Sequence, residues 1–271
     1  MTTPALPLLP AFLARLEGTP LFLLLDIDGT LSPIAPRPDL AIVPAETRRV
    51  LEDLAGTQGV TVIFVTGRSA YDGRRLVGVD DGWVIGNHGL EFARPGEPPH
   101  ARADVAAFQF EVEKAASIIR ALVDAREWSG VLVEDKRLTL SIHYRLAHER
   151  IVPAVTDEVA RLGAELGLRV TFGKAVVELR PPIAVNKGTA AVELIASLQP
   201  TSDEPAILAA GDDRTDEDLF RVVRSAHPRA ITVRVGERGE TAAEFWLSDT
   251  DAMRELLADV LVSRRAQHPR F

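Results

Sequence analysis

An α/β core with a parallel sheet, interrupted by an inserted α+β domain, is the fold class the sequence predicts, and three observations carry it. Short apolar runs at Leu21–Leu25, Val60–Val65, Trp83–Ile85, Ala206–Ala210 and Ile231–Val235 alternate with helical patterns, the rhythm of parallel strands joined by right-handed crossovers. Four of these runs stop at polar residues: Asp26, Thr66, Asn87 and, after Gly211, Asp212. Carboxyl ends of parallel strands are where ligands bind in open α/β sheets. Between residues 95 and 182 the rhythm changes to helix, strand, strand, helix, strand, strand, an order that buries two helices on one face of an antiparallel sheet. The core is therefore expected to be Rossmann-like and the insert αββαββ.

Taken in order, residues 1–16 are apolar but broken by Pro4, Pro7 and Pro10, with no basic residue ahead, which makes a poor signal peptide. Phe12–Leu16 is expected as a short helix. Leu21–Leu25 is long enough for a buried strand, and the loop after it holds Pro33, Pro36 and Pro38. Pro44 suits a helix's first turn, and Val50, Leu51 and Leu54 give Ala45–Ala55 an inward face. Val60–Val65 and Trp83–Ile85 are further strands, followed by Thr66-Gly67-Arg68 and Asn87-His88-Gly89. Residues 94–102 read as a linker and a domain boundary.

Beyond it, Ala106–Trp128 has helical periodicity, and residues 130–144 read as a hairpin turning near Asp135–Arg137. The hairpin's second strand alternates Leu138, Leu140, Ile142 and Tyr144 on a core face with Thr139, Ser141, His143 and Arg145 on a wet face. A helix from Pro153 to Leu166 and strands at Arg169–Phe172 and Ala175–Arg180 complete the insert. Pro181 and Pro182 mark the return, giving a core of 1–94 and 183–271 around an insert of 95–182. The remaining elements are a helix from Lys187 to Ala196, strand Ala206–Ala210, helix Thr215–Val223, strands Ile231–Val235 and Phe245–Leu247, and a closing helix Ala252–Val262.

Composition narrows the function. With 271 residues, 46% hydrophobic and 26% charged, the chain can bury a substantial core. A net charge of −8 opposes nonspecific attraction to nucleic acid or anionic membrane. The absence of cysteine removes disulfides and thiolate metal sites. No apolar span approaches the ~18 residues of a membrane helix, and a cytoplasmic protein is expected.

Chemistry concentrates at the strand ends. In L-F-L-L-L-D-I-D-G-T-L, Asp26 and Asp28 are spaced i, i+2, so in extended chain both face one pocket, where one carboxylate can attack and the other can move protons. A calcium loop does not fit, because the position that needs a bidentate Glu is Arg37 and Gly29 falls too early. A second acidic cluster, G-D-D-R-T-D-E-D-L-F at 211–220, is partly explained as a helix start, with Thr215 as a candidate cap. Thr66 alone reads as a cap and Lys187 alone as a solvated lysine.

Together these residues resemble, in order, the four motifs of haloacid-dehalogenase-like (HAD) phosphotransferases: D-I-D-G-T from Asp26, Thr66 in V-T-G-R, Lys187 in N-K-G, and Asp212-Asp213. The T-G-R and H-G segments, G-K-A-V-V-E-L-R at 173–180 and the long form of the last motif narrow the resemblance to the trehalose-6-phosphate phosphatase family, over roughly residues 20–250. The resemblance implies a HAD core with a cap, and magnesium-dependent hydrolysis of trehalose 6-phosphate through an aspartyl phosphate. It implies Asp26 as nucleophile, Asp28 as acid and base, and Thr66 and Lys187 as grips on the phosphoryl oxygens. Mg2+ would be held by Asp26, the backbone carbonyl of Asp28 and Asp212, with Asp213 and Asp216 supporting that shell or positioning Lys187. A cation also makes sense from charge, since a phosphate beside four aspartates meets repulsion that one lysine cannot offset.

For the sugar, the candidates are Glu134, Lys136, His143, Arg145, Lys174, Glu178 and Arg180 of the insert, with Lys174 and Glu178 matching the family's G-K-x-x-x-E-x-R pattern. Gly67, Arg68, His88 and Gly89 are expected to line the core side. Cap closure is expected to exclude bulk water before chemistry. The expected partner is a small molecule, the expected state a monomer, and association with a trehalose-6-phosphate synthase stays open. So do a related sugar or glycoside phosphatase, a phosphomutase and a noncatalytic sugar-phosphate sensor.

Overall fold

Every residue of β1 (Leu21–Leu25) is buried, as five apolar side chains without alternation require. The computed structural model describes residues 9–173, 175–199 and 204–267. α1 (Leu9–Ala14) precedes β1, and α2 (Ala45–Ala55), β2 (Val60–Val65), α3 (Ala70–Val77), β3 (Trp83–Gly86), β4 (Glu91–Ala93) and β5 (His100–Ala101) follow it. Then come α4 (Gln109–Ala125), β6 (Leu132–Asp135), β7 (Leu140–His143), α5 (Val152–Glu165), β8 (Arg169–Gly173) and β9 (Val176–Arg180). The chain continues through α6 (Lys187–Leu198), β10 (Ala206–Gly211), α7 (Arg214–Ala226), β11 (Ile231–Val235), β12 (Phe245–Leu247) and α8 (Thr250–Gln267).

Contacts divide the chain into two units, one comprising residues up to His100 and from Val185 onward, the other Ala101–Ala184. In the first unit, eight strands among the described residues form a sheet in the order β12-β11-β10-β1-β2-β3-β4-β5. Pairing is parallel from β12 to β3 and antiparallel between β3 and β4. Strand alternation splits β1 between two cores: Leu21, Leu23 and Leu25 pack with Leu51 and Leu54 of α2 and Leu257 of α8, while Phe22 and Leu24 pack with Leu194 of α6 and Phe220 of α7. Helices on both faces leave the strand ends as the edge where polar groups can collect.

The second unit is a four-stranded antiparallel sheet, β6-β7-β9-β8. Val112, Ala116 and Ile119 of α4 and Val155, Val159 and Leu162 of α5 pack against Leu140, Ile142, Val177 and Leu179. No helix among the described residues is long and apolar enough to cross a membrane.

Several expectations need adjustment. Helix α1 already includes Leu9, the first described residue, and ends before Arg15, because the amides of Arg15 and Leu16 close tighter bonds to the carbonyls of Phe12 and Leu13. The stretch read as a linker contains β5, which joins the edge of the large sheet. The face expected to be wet is not wet throughout: Thr139, just before β7, is 0% exposed, and Ser141 in β7 is 2% exposed. Ser141 Oγ finds its partner in Glu178 Oε1 at 3.0 Å rather than in water.

Candidate active site

Parallel pairing brings distant segments to one edge. β1 lies between β10 and β2, with Leu25 opposite both Ala210 and Phe64, so the residues that follow these strands emerge together. Asp26 extends the pairing by one bond, from its amide to the Ala210 carbonyl at 3.0 Å. Lys187 opens α6, whose N-cap Asn186 accepts from the Thr189 amide. Gly188 lets α6 approach α7 closely, since a Cβ there would lie 2.6 Å from the Asp218 carbonyl.

The result is a buried charge cluster. Lys187 Nζ donates to Asp26 Oδ1 at 2.6 Å and to Asp216 Oδ1 at 2.8 Å, and these three residues are 3%, 4% and 0% exposed. Asp216 Oδ2 accepts from the amides of Asp212 and Asp213 at 3.0 and 3.1 Å. Asp213, not Thr215, caps α7: its Oδ1 accepts from the amides of Thr215 and Asp216 and from the Thr215 hydroxyl. Its part is thus to start the helix that carries Asp216.

Electrostatics separates the acids. Burial, opposed by Lys187 but reinforced by Asp212 and Asp213, pushes the Asp26 carboxyl up to about 8. Burial and the Asp216 and Asp213 carboxylates push Asp212 up to about 7. For Asp213, burial acts upward but is outweighed by Lys187 and the bonds from Thr215 and Asp216, leaving it at about 2. Burial also raises Asp216, yet both its oxygens only accept, which favours a carboxylate there. For Lys187 the effect of burial is outweighed by Asp216, Asp26 and Asp213, and its pKa is raised.

Carboxylate oxygens of Asp26, Asp212 and Asp216 lie within 4.8 Å of one another. Asp216 is already engaged on both oxygens, so Asp26 and Asp212 are the better donors. Gly29 makes the approach possible: its φ is +87°, and a Cβ there would sit 2.1 Å from Asp212 Oδ2. Hard oxygen donors whose pKa values are raised by burial and by neighbouring carboxylates fit a divalent cation such as magnesium.

Thr66, 1% exposed, accepts through Oγ1 from the Arg68 amide at 3.1 Å, and Gly67 lies between them. Arg68 forms a two-bond fork to Asp28 at 2.6 Å each. His88 stands against Gly67 and helps lower Asp213. Asn87, His88 and Gly89 all have positive φ, at 47°, 56° and 106°. That rare run is held by bonds from Asn87 N to Arg68 O, His88 N to Thr66 O, and Asn87 Nδ2 to Glu91 Oε1. Glu91 also accepts from the Ala70 amide at the start of α3 at 2.7 Å. Sequence reasoning missed Glu91 as the support of this loop; an acid that close behind H-G was the only available signal.

In the second unit, pairing sets Glu134 opposite Ser141 and Ser141 opposite Glu178. Lys136 Nζ lies 3.3 Å from Glu178 Oε1, and His143 Nε2 lies 2.8 Å from Glu134 Oε2. Four of the expected sugar residues therefore form one polar cluster. Arg145 instead falls in the exposed turn after β7. Arg180 ends β9, opposite Arg169, and burial lowers its pKa. Lys174 lies outside the described residues.

A doubly covered parallel sheet with an acidic edge has the fold of a haloacid dehalogenase-like hydrolase from Bacteroides thetaiotaomicron, with a TM-score of 0.61 at 14% identity over 89% of this chain and 99% of that one. A trehalose-6-phosphate phosphatase related protein of known structure matches with a TM-score of 0.79 and 28% identity, covering 91% of this chain and 99% of the other. The chain belongs to the Trehalose-phosphatase family, whose model matches residues 24–251. A trehalose 6-phosphate phosphatase of Zea mays is 32% identical over 270 residues, 95% of this chain and 74% of the maize protein. An uncharacterized glycosyl hydrolase of Mycobacterium tuberculosis is 41% identical over 229 residues, 82% of this chain, which spans only 17% of that relative's length.

Proposed function

We propose that this chain hydrolyses trehalose 6-phosphate to trehalose and phosphate, with Mg2+ as cofactor and Asp26 as nucleophile. The observation that supports this most is the contact of Lys187 Nζ with Asp26 Oδ1 at 2.6 Å across 161 residues, a buried cation beside a carboxylate at a strand's end. Family membership supports the substrate. Mg2+, held by Asp26, Asp212 and the backbone carbonyl of Asp28, would neutralise negative charge and orient the phosphate.

This chain's residues divide the remaining work. An Asp26 oxygen bonds to phosphorus as the ester P–O bond breaks, giving an aspartyl phosphate, while Asp28 delivers its proton to the departing sugar oxygen. Asp28 then takes a proton from the water that cleaves the aspartyl phosphate. Lys187 and Thr66 hold phosphoryl oxygens, with Asp216 fixing Lys187 and Asp213 fixing the helix beneath it. Gly67, His88 and Gly89 line the phosphate side, and Glu134, Lys136, His143 and Glu178 meet sugar hydroxyls. The protein acts as a monomer.

Phosphate release from a panel of sugar phosphates tests the substrate: trehalose 6-phosphate should be turned over far faster than glucose 6-phosphate, and equal rates would refute the disaccharide assignment. Glu178→Ala should lower kcat/KM on trehalose 6-phosphate by ten- to a hundredfold, roughly the 1.5–3 kcal/mol of a hydrogen bond to a charged group. A small generic phosphate should lose about threefold or less, because it presents no second sugar. Equal losses would remove Glu178 from recognition.

The metal has its own signature. Asp26 and Asp212 have folded values of about 8 and about 7, above the ordinary carboxylate range, so the native state binds more protons than the unfolded chain in that window. Stability of the metal-free protein should therefore fall as pH rises from about 4 toward 8. Magnesium displaces those protons, so its affinity should rise with pH and the fall in Tm should flatten in its presence. Thermal unfolding with EDTA and with magnesium would show it; the same pH slope in both would contradict metal binding at these carboxylates.

A further inference from the structure

Arg68 ties three strand-end loops together. Its Nε donates to Asp28 Oδ2 and its Nη2 to Asp28 Oδ1, each at 2.6 Å, and Nη2 also donates to the Pro38 carbonyl at 3.0 Å. Its amide donates to Thr66 Oγ1 at 3.1 Å, and its carbonyl accepts from the Asn87 amide at 2.7 Å. The segments after β1, β2 and β3 thus meet at one residue. The Asp28 side chain is 40% exposed and that of Arg68 13%. A half-exposed ion pair adds little to stability. What it does add is direction, because two parallel N–H···O bonds fix the plane of a carboxylate, which the point charge of a lysine cannot do.

Resting on the hydrolysis proposed above, we propose that Arg68 is a positioning residue for Asp28: the fork sets the direction in which this carboxyl meets the departing sugar oxygen, rather than gripping the phosphate. The fork takes one lone pair of each Asp28 oxygen, and the proton that moves to the ester oxygen as that P–O bond breaks is carried on a lone pair the fork leaves over, to which a proton returns from water in the second step. Arg68 exchanges no proton with either. A leaving group that departs without a proton, such as 4-nitrophenolate, has little need of the arrangement in the first step, while the second step is common to both esters.

The test compares the magnesium-loaded wild type with Arg68→Ala, Arg68→Lys, Asp28→Asn and the double variant Asp28→Asn/Arg68→Ala on trehalose 6-phosphate and 4-nitrophenyl phosphate. Arg68→Ala should lose about a hundredfold or more in kcat/KM, which reports the step in which the leaving group departs, on the sugar ester and less than about tenfold on the aryl ester, the scale of a general acid's contribution. Arg68→Lys should recover part of the loss. The double variant should be no worse than Asp28→Asn by more than about twofold, since coupled residues are not additive. Equal losses on the two esters, losses that multiply, or a raised KM with unchanged kcat would each overturn the proposal. Tm measured on every variant separates misfolding from lost positioning.

If the wild type does not hydrolyse the sugar ester, or Asp28→Asn shows no split between esters, it is the proposed function that fails. The clamp is then read without turnover. A slowly exchanging Arg68 Nε–H signal in 15N NMR should be present in the wild type, absent in Arg68→Lys and lost in Asp28→Ala, which removes the acceptor. Its survival in Asp28→Ala would overturn the inference.

Discussion

Asp26→Asn is expected to abolish turnover, by about ten-thousandfold or more, while leaving the fold in place. At roughly 1.4 kcal/mol per tenfold, that is the removal of a covalent route rather than the weakening of a contact, because an amide cannot form and release the phosphorylated intermediate. The fold should survive for an electrostatic reason. Asp26 is 4% exposed, and burial with the nearby Asp212 and Asp213 already pushes it up to about 8, so its charge is a strain on the apo protein. Lys187 keeps Asp216 at 2.8 Å as its counterion. Phosphate release and thermal unfolding measured together check this: activity should vanish with Tm unchanged or raised, and full phosphatase activity would remove Asp26 from the nucleophile's role.

Lys187→Met should act on both activity and stability. The ammonium is 3% exposed between Asp26 and Asp216, and its removal leaves two buried carboxylates facing each other. Breaking a buried pair from one side costs about 3–5 kcal/mol, a large share of the 5–15 kcal/mol that holds a typical domain. The sign of the pH dependence is fixed. Without the lysine both folded carboxyl values rise further, and the difference from the wild type appears only above the wild type's own folded values. The deficit in denaturant unfolding should therefore be smaller at and below neutral pH and grow as pH rises through about 8, where Asp26 of the wild type ionises. A deficit independent of pH would mean that lost packing, not charge, is responsible.

Much of this site was legible in the sequence, and the reasons are local. An apolar run that ends at a polar side chain reads as a strand end wherever it occurs, and Asp26, Thr66 and, after Gly211, Asp212 each follow such a run. The helix between β2 and β3 was implied by alternation but not bounded, since Ala70–Val77 is only eight residues long. The antiparallel β4 and the two-residue β5 left no periodic trace in a stretch rich in glycine and proline. The burial of Thr139 and Ser141 also escaped, because polarity marks a residue's need for hydrogen bonds and not the source of its partner.

The sequence by itself determined which residues stand at the strand ends, because strand periodicity and parallel crossovers follow from steric rules that act over a few residues. Only the tertiary structure decided how those residues pair. Lys187 is shared between Asp26 and Asp216, Asp213 is committed to a helix cap, and Asp28 is taken by Arg68, 40 residues away. Such choices turn on separations of about 3 Å between groups carried by different elements. They are settled where α6 meets α7 and where β1 seats between β10 and β2, and no local pattern encodes that distance.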